Sequence, residues 1–368
     1  MERADKGLAF MLQYENVAWY EDGAVRILDR RIYPVRVEFV TCHRHEEVAK
    51  AIADMVTQSA GPYTAAGMGM ALAAHEAKGK TEGEFLAYME KAAYTLSHAR
   101  PTTVQRMEAV TYGCLEAAKV ALAAGKPVDL AIREHTVESL DRRYTKISVM
   151  AEYLVDMFPK KGTIMTQCFG ETIVGQMLKV ARNRNYDLKI ICPETRPYFQ
   201  GARLTASVAY DMGYDVTIIT DNMPAHTMKA KKVDVFTSAA DAICMDGYVV
   251  NKVGTFQIAI CAHYMGIPYF ATGAPDRGHT TIDTVTIEER DQSYVLEAMG
   301  VRTAMEGVKG YYPTFDATPP HLVSGVVTDK GIFSPYDLDR YYKNGAEGEY
   351  GTYGPAKKED KIADKFLC

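Results

Sequence analysis

The sequence predicts an α/β protein: a C-terminal Rossmann-like domain with a mostly parallel sheet, preceded by a mainly helical N-terminal domain with short strands. From Gly162 onward, short β-rich apolar segments alternate with loops and helical segments, which is typical of a parallel sheet with crossover helices. The preceding half mostly carries apolar residues at helical spacing. With 368 residues, 47% of them hydrophobic, the chain is long enough for two domains, which we expect at 1–145 and 146–368.

The N-terminal half begins with two strand-like segments, NVAWYEDGAVRILD and YPVRVEFVTC. Asp22-Gly23 is a plausible hairpin turn between the halves of the first segment. Four helical segments follow: HEEVAKAIADMVTQ, EGEFLAYMEKAAYTLSHA, TTVQRMEAVTYGCLEAAKVALAAG and a long run near ESLDRRYTKISVMAEYLVDMF. Pro101 and Gly125 separate them.

The C-terminal half contains the predicted strands TIMTQC, LKIICPE, DVTIITD, VDVFTSAAD and IPYFATG. Cys168, Glu194, Asp221 and Asp241 each close one of these strands. Parallel α/β sheets bind ligands at the carboxyl ends of their strands, so we expect these side chains to line one crevice. The tail after Phe333 is rich in tyrosine, glycine and charge, and we interpret it as a surface or subunit-contact extension.

Composition excludes several classes of partner. A net charge of -5 and a pI near 6.0 indicate no binding to nucleic acid or an anionic membrane and favour a small-molecule or protein partner. No stretch reaches the roughly 18 apolar residues of a membrane span, and the start lacks a secretion signal, so we expect a cytoplasmic protein. The seven cysteines are scattered and never in CxxC spacing, which favours reduced thiols and no metal site.

The run ETRPYFQGARLT, Glu194 to Thr205, combines two arginines, a carboxylate, an amide and a glycine directly after an apolar strand. Guanidinium groups and backbone amides together bind phosphate well, so this run predicts a site for a phosphorylated ligand. Glu194, Arg196 and Arg203 could equally form a structural ion-pair network that shapes the loop. Asp221 has the same two interpretations.

Several segments together resemble, in order and spacing, the methylthioribose-1-phosphate isomerases. They are ETRPYFQGARLT, ITDNM, SAADAICMDGYVVNKVGTFQIAI, TIEERD and FDATPPHLVSGVVTDKG, with WYEDGAVRILDRRIYP and ARPTTV in the first half. The resemblance spans nearly the whole chain except its two ends. The wider superfamily includes ribose-1,5-bisphosphate isomerases and regulatory subunits of translation initiation factor 2B.

The resemblance implies an aldose-ketose isomerase, without metal or cofactor, that converts a furanose aldose 1-phosphate into the open-chain ketose 1-phosphate. Because the anomeric oxygen carries phosphate, the ring must open by proton transfer before hydrogen moves from C2 to C1. The family's cysteine and aspartate correspond to Cys168 and Asp241. The resemblance also implies a homodimer.

Each catalytic residue also has an ordinary structural interpretation. Cys168 alone would be a buried inert thiol, whereas a nearby helix N-terminus would favour its thiolate. Asp241 alone would be a helix N-cap, whereas a dry pocket would raise its pKa towards the range of a general acid.

The resemblance implies substrate binding by Arg100 and Gln200, by Asn251 with Lys252, and by Gly61. Otherwise Arg100 would be a capping or surface residue, Gln200 a solvated turn amide, and Asn251-Lys252 an exposed helix start. A lysine beside the backbone amides of a helix N-terminus makes an anion site, which favours the binding interpretation of that pair.

The chain departs from the family pattern near the predicted centre. The family's Arg-Gly-Ala-Pro becomes Ser59-Ala60-Gly61-Pro62, without the arginine, and His-Cys-Asn becomes Gln167-Cys168-Phe169. Arg277 could restore the missing charge, although a loop arginine is more often solvated. The changes suggest a sugar that differs from the one naming the family, so we expect the substrate to be 5-methylthioribose 1-phosphate or a close analogue such as 5-deoxyribose 1-phosphate. They also leave open a non-catalytic regulatory subunit that binds a sugar phosphate or nucleotide.

Overall fold

The computed structural model describes residues 3–100 and 104–343. The chain divides into two compact units whose sequence boundary lies between Thr145 and Lys146. Within the described ranges, no helix has both the length and the apolar character needed to cross a bilayer.

The strands of the first unit form a small antiparallel sheet in the order β1-β2-β3. Its strands are β1 (Ala18–Glu21), β2 (Ala24–Leu28) and β3 (Phe39–Cys42). Asp22 and Gly23 connect β1 to β2 with φ values of 47° and 77°, as a tight hairpin turn requires. The predicted hairpin is confirmed.

Helices make up most of the first unit: α1 (Tyr14–Val17), α2 (His45–Ala53), α3 (Gly61–Glu76), α4 (Glu82–Ser97), α5 (Val104–Ala123) and α6 (Val128–Asp156), which continues past the boundary. The sequence did not predict α3. Almost every residue from Gly61 to Ala74 is buried, so α3 has no polar stripe and its apolar residues show no helical period.

The second unit contains the strands β4 (Lys161–Met165), β5 (Asp187–Pro193), β6 (Asp215–Ile219), β7 (Val235–Ala239), β8 (Ala242–Ile243), β9 (Val249–Lys252), β10 (Tyr269–Thr272), β11 (Glu297–Ala298), β12 (Val301–Arg302), β13 (Phe315–Thr318), β14 (Gly325–Thr328) and β15 (Gly331–Phe333). Seven of them form a sheet in the order β15-β14-β10-β7-β4-β5-β6. All neighbours pair in parallel except β14 and β15. The predicted mostly parallel sheet is confirmed.

Helices connect these strands: α7 (Thr172–Asn183), α8 (Ala206–Asp211), α9 (Pro224–Ala230), α10 (Thr255–Tyr264), α11 (Ser293–Leu296) and α12 (Asp339–Lys343). A π-helical turn, Gly201–Thr205, leads into α8. Short 3-10 turns occur at Phe10–Leu12, Ile282–Thr284 and Pro320–Leu322.

Two features of the second unit go beyond the sequence expectation. A three-stranded antiparallel sheet, β13-β9-β8, was not predicted, because β8 has only two residues and β9 pairs with a strand far along the chain. The tail after Phe333 packs against the unit at first, since Leu338 and Tyr341 are each 1% exposed. Residues 334–343 thus form a mostly exposed segment that is attached to the unit by a few buried side chains, and the rest of the tail lies outside the described residues.

Candidate functional site

The four strand-end residues lie along one edge of the sheet. β7, β4, β5 and β6 are consecutive neighbours, and Asp241, Cys168, Glu194 and Asp221 follow them at their carboxyl ends. In a parallel sheet this edge is where side chains from different strands can meet a ligand. The four residues therefore share the sheet edge at which the sequence predicted a ligand-binding crevice, and the crevice itself stays a prediction.

Cys168 occupies a strained and half-buried position at the centre of this edge. Its φ is +58°, a value uncommon for residues other than glycine. Its backbone N–H donates to Thr195 Oγ1 at 3.2 Å, and Thr205 Oγ1 donates to its carbonyl oxygen. These two threonines hold the backbone in place.

Burial raises the pKa of the Cys168 thiol to about 12, with Lys252 opposing the rise and Asp241 adding to it. The expectation of a favoured thiolate is wrong, because the desolvation of the thiolate outweighs nearby positive charge. At neutral pH Cys168 is a protonated thiol and hence a proton donor. The effects of Lys252 and Asp241 on this pKa indicate that both side chains lie near the sulfur.

Asp241 lies between β7 and β8, so it does not cap a helix. Its backbone N–H donates to Val250 O at 2.9 Å, which ties it to β9. Its side chain is exposed, so the structure does not provide the dry pocket expected from the sequence. Asp241 is accessible to a ligand at the sheet edge.

Asn251 and Lys252 end strand β9 and are 5% and 6% exposed, so they are not an exposed helix start. Asn251 Nδ2 donates to Thr255 Oγ1 at 3.1 Å. The Lys252 ammonium lies 4.8 Å from the centre of the Phe315 ring. Its stem is thus packed in the β9-β13 sheet while its charge acts on Cys168.

Asp316 occupies two of the backbone amides at the start of α10. Asp316 accepts hydrogen bonds from the N–H groups of Gly254, at 2.7 Å, and Phe256, at 3.2 Å. At these two amides a carboxylate of the chain already takes the place expected for an anionic ligand, and the role of Lys252 in anion binding stays a prediction. Asp316 lies within the segment FDATPP, and the sequence did not predict this role for it.

Gln200 is buried, 7% exposed, so it is not a solvated turn amide. Its Oε1 has no hydrogen-bond partner among the described residues. The next residue, Gly201, admits no side chain, because a Cβ there would lie 1.8 Å from Pro193 O. The close passage of the loop over β5 therefore orients Gln200.

Arg196 and Asp221 shape the loop that carries Gln200. The Asp221 carboxylate accepts from the N–H groups of Thr195, at 2.8 Å, and Arg196, at 2.6 Å. The Arg196 guanidinium donates to the carbonyls of Tyr294, at 3.2 Å, and Glu297, at 2.8 Å. Both residues bind backbone, which favours the structural interpretation for them. Burial, and then Asp221, raise the pKa of Glu194.

Sequence reasoning missed Thr195, Gln167 and Tyr312. Thr195 is fully buried; its hydroxyl accepts from Cys168 N–H. Gln167 Nε2 donates to Val253 O at 3.4 Å, linking the strand end before Cys168 to the residue after Lys252. Tyr312 is buried, and its hydroxyl has no hydrogen-bond partner in the described part of the chain. The only sequence signal for the first two was adjacency to Cys168 and Glu194.

In the first unit, Gly61 begins α3, where a Cβ would lie 1.9 Å from Thr57 Oγ1 and 3.2 Å from Arg30 Nη1. Arg30 Nη1 donates to Gln58 O at 2.7 Å, and Arg143 Nη1 donates to Ala60 O at 3.4 Å. Two buried guanidinium groups thus flank residues 58–61, where the resemblance led us to expect an arginine in place of Ser59.

The remaining predicted binding residues are Arg100 and Arg277. Arg100 is half-buried just after α4 and borders residues 101–103, which lie outside the described ranges. Arg277 is exposed, with its guanidinium 3.8 Å from the centre of the Tyr342 ring. Their roles in substrate binding stay predictions.

One group of potential metal ligands occurs in the described residues: His45, Glu46 and Glu76. Glu76 accepts hydrogen bonds from the His45 backbone at 2.7 Å and from the Tyr88 hydroxyl at 2.5 Å, and its Oε2 lies 2.7 Å from His45 Nδ1. These bonds account for the cluster as a structural tie between α2, α3 and α4.

Known proteins resemble the chain over most of its length. Residues 58–335 match the family model described as the initiation factor 2 subunit family. A methylthioribose-1-phosphate isomerase from Heliobacterium modesticaldum is 33% identical over 352 residues, covering 88% of this chain and 97% of the relative.

Two solved structures resemble the fold. The 5-methylthioribose 1-phosphate isomerase from Pyrococcus horikoshii has a TM-score of 0.78 at 30% identity, covering 91% of this chain and 98% of that one. The translation initiation factor eIF-2B subunit delta from A. fulgidus has a TM-score of 0.75 at 28% identity, covering 87% and 96%.

Proposed function

Because the chain belongs to the initiation factor 2 subunit family and, within it, to the methylthioribose-1-phosphate isomerases, we propose that it isomerises a furanose aldose 1-phosphate to the ketose 1-phosphate. The chain is an isomerase like its relatives. The proposed substrate is 5-methylthioribose 1-phosphate or a close analogue such as 5-deoxyribose 1-phosphate.

The reaction needs one proton donor and one proton acceptor. Ring opening places a proton on the ring oxygen, hydrogen then moves from C2 to C1, and the C2 hydroxyl loses its proton as it becomes a carbonyl. Cys168, held protonated by burial, is the proposed donor, and Asp241 is the proposed acceptor. This assignment rests on the positions of Cys168 and Asp241 after the carboxyl ends of the neighbouring strands β4 and β7, the single observation that carries the proposal.

The binding groups follow from charge and burial. Lys252 supplies a buried positive charge. Gln200 supplies a buried acceptor, because its Oε1 has no hydrogen-bond partner among the described residues. A phosphate with several hydroxyl groups matches both requirements. Asn251, Arg100, Gly61 and Arg277 are the further proposed substrate-binding residues.

The test is turnover followed by NMR. The substrates are 5-methylthioribose 1-phosphate, 5-deoxyribose 1-phosphate, ribose 1-phosphate and ribose 1,5-bisphosphate. We expect one sugar to give its ketose, and Cys168→Ser and Asp241→Asn each to lower kcat by at least about 100-fold. Cys261→Ser, a half-buried cysteine in α10, is the matched control and should retain activity. Full activity in either catalytic variant would contradict the assignment.

A second function is favoured by the structural similarity to an eIF-2B subunit delta. In that case the protein binds a sugar phosphate or nucleotide without turning it over and acts as a regulatory subunit. Calorimetry with the same four sugars and with AMP distinguishes the two. Saturable binding without ketose formation would support the regulatory subunit.

A further inference from the structure

Tyr312 is joined by backbone hydrogen bonds to the strand end that carries Lys252. Its carbonyl accepts from Arg290 N–H at 3.0 Å, and Thr314 O, two residues on, accepts from Val253 N–H at 3.2 Å. Tyr312 therefore lies in a segment held beside the end of β9, in the same unit as Cys168.

The side chain of Tyr312 carries an unmet hydrogen-bonding requirement. It is 3% exposed, and its hydroxyl has no hydrogen-bond partner among the described residues. The ring packs near two other aromatic rings, at centroid distances of 6.2 Å from Tyr198 and 6.5 Å from Tyr294. A buried tyrosine hydroxyl usually has a partner, so a fixed hydroxyl without one is a position for a ligand atom.

Hydrogen bonds connect the segment of Tyr312 to the strand end that carries Cys168: Gln167 Nε2 donates to Val253 O at 3.4 Å, and Val253 N–H donates to Thr314 O at 3.2 Å. Burial above all raises the pKa of Tyr312, followed by Tyr198, while Arg290 opposes the rise and Cys168 adds to it. Tyr312 is therefore neutral at every working pH, and a neutral phenol can donate a hydrogen bond. The influence of Cys168 indicates that the phenol and the thiol share one neighbourhood.

We propose that the Tyr312 hydroxyl donates a hydrogen bond to a sugar oxygen of the bound aldose phosphate beside Cys168, as a further substrate-contacting residue. The inference deepens the proposed function and rests on it. Each sugar hydroxyl both accepts and donates a hydrogen bond. The buried donor of Tyr312 and the buried acceptor Gln200 Oε1 are therefore complementary to such a ligand.

Tyr312→Phe should separate two effects of the hydroxyl: its destabilisation of the ligand-free protein and its contribution to substrate binding. Tyr312→Phe keeps the ring in its aromatic cluster and removes only the hydroxyl. In the ligand-free protein that hydroxyl is buried and has no hydrogen-bond partner among the described residues. We expect kcat/KM for the sugar that the wild type turns over to fall roughly tenfold, the value of one hydrogen bond. We expect the thermal midpoint of the ligand-free variant to stay the same or rise.

The matched control is Tyr311→Phe, because Tyr311 is the adjacent residue and 69% exposed. It should change neither kcat/KM nor the thermal midpoint. A purely structural role of the Tyr312 hydroxyl would give the opposite result, a lower midpoint in Tyr312→Phe with unchanged kcat/KM, and would overturn the inference.

The same experiment separates this inference from the proposed function. If the wild type turns over a sugar and Tyr312→Phe has the same kcat/KM for it, only the inference about Tyr312 is overturned. A wild type that turns over none of the four sugars would overturn the proposed function, and the inference with it.

Discussion

At the scale of residues, burial decides the chemical state of the predicted catalytic thiol. Cys168 lies near Lys252, yet its pKa is raised to about 12, because removing the thiolate from water costs more than one positive charge recovers. Asp241 is exposed at the same edge. The two proposed catalytic groups thus occupy contrasting environments, which is how proteins separate an acid from a base.

Asp316 shows the same effect and leads to a pH prediction. Burial raises its pKa from 3.8 to about 6, against the hydrogen bonds from Gly254 and Phe256 and the charge of Lys252. A raised carboxyl pKa means that the folded state binds the proton more tightly than the unfolded state. This group therefore stabilises the fold below about pH 4, and that contribution is lost as the pH rises to about 6.

We therefore expect the free energy of unfolding of Asp316→Asn, relative to wild type, to rise by about 2 kcal/mol between pH 4 and pH 7. Urea unfolding of both proteins at several pH values measures this difference, and the comparison cancels the titration of all other groups. A difference independent of pH would contradict a raised pKa of Asp316.

At the scale of elements, a close approach between the loop and strand β5 orients Gln200. The loop lies so close to β5 that position 201 has no room for a Cβ. The Asp221 carboxylate accepts hydrogen bonds from the loop's backbone, and the Arg196 side chain ties the loop to the carbonyl of Glu297. The run ETRPYFQGARLT therefore positions the buried amide of Gln200 and also carries positive charge.

Gly201→Ala tests this scaffold. We expect it to lower the free energy of unfolding by about 2–3 kcal/mol, because backbone must move to admit the methyl group, and to lower kcat/KM by displacing Gln200. Gly83→Ala is the control. Gly83 lies in α4 with open space around it, so alanine there should stabilise the protein by about 0.5–1 kcal/mol. Equal effects of the two substitutions would refute a special role for Gly201.

At the scale of the whole molecule, the two compact units each carry residues that the family resemblance assigns to substrate binding. Gly61 and Arg100 lie in the first unit, and Gln200, Asn251 and Lys252 in the second. The surface of the second unit also exposes apolar side chains one helical turn apart on α10, with Ile260 48% and Tyr264 87% exposed. Apolar surface of this kind favours contact with another chain.

We predict that the protein purifies alone as a homodimer, with a mass near twice the 40.8 kDa of one chain. Sedimentation equilibrium measures this mass without assumptions about shape. A stable monomer would contradict the dimer. Recovery only in complex with other chains would favour the regulatory-subunit function.

The sequence by itself determined the class of the fold and the residues at the strand ends. Apolar β-rich runs separated by helical segments predict β4, β5, β6, β7 and β10, and Asp22-Gly23 predicts the hairpin, because these signals are local. Cys168 and Asp241 followed from position and from the family resemblance.

Only the tertiary structure decided the environment of each group. The capping of α10 by Asp316 joins residues 62 positions apart, and Lys252 pairs with Phe315 of β13, a strand far along the chain. Helix α3 is buried on all sides and so has no amphipathic period. The raised pKa of Cys168 and the burial of Tyr312 depend on desolvation by distant segments, which no local pattern encodes.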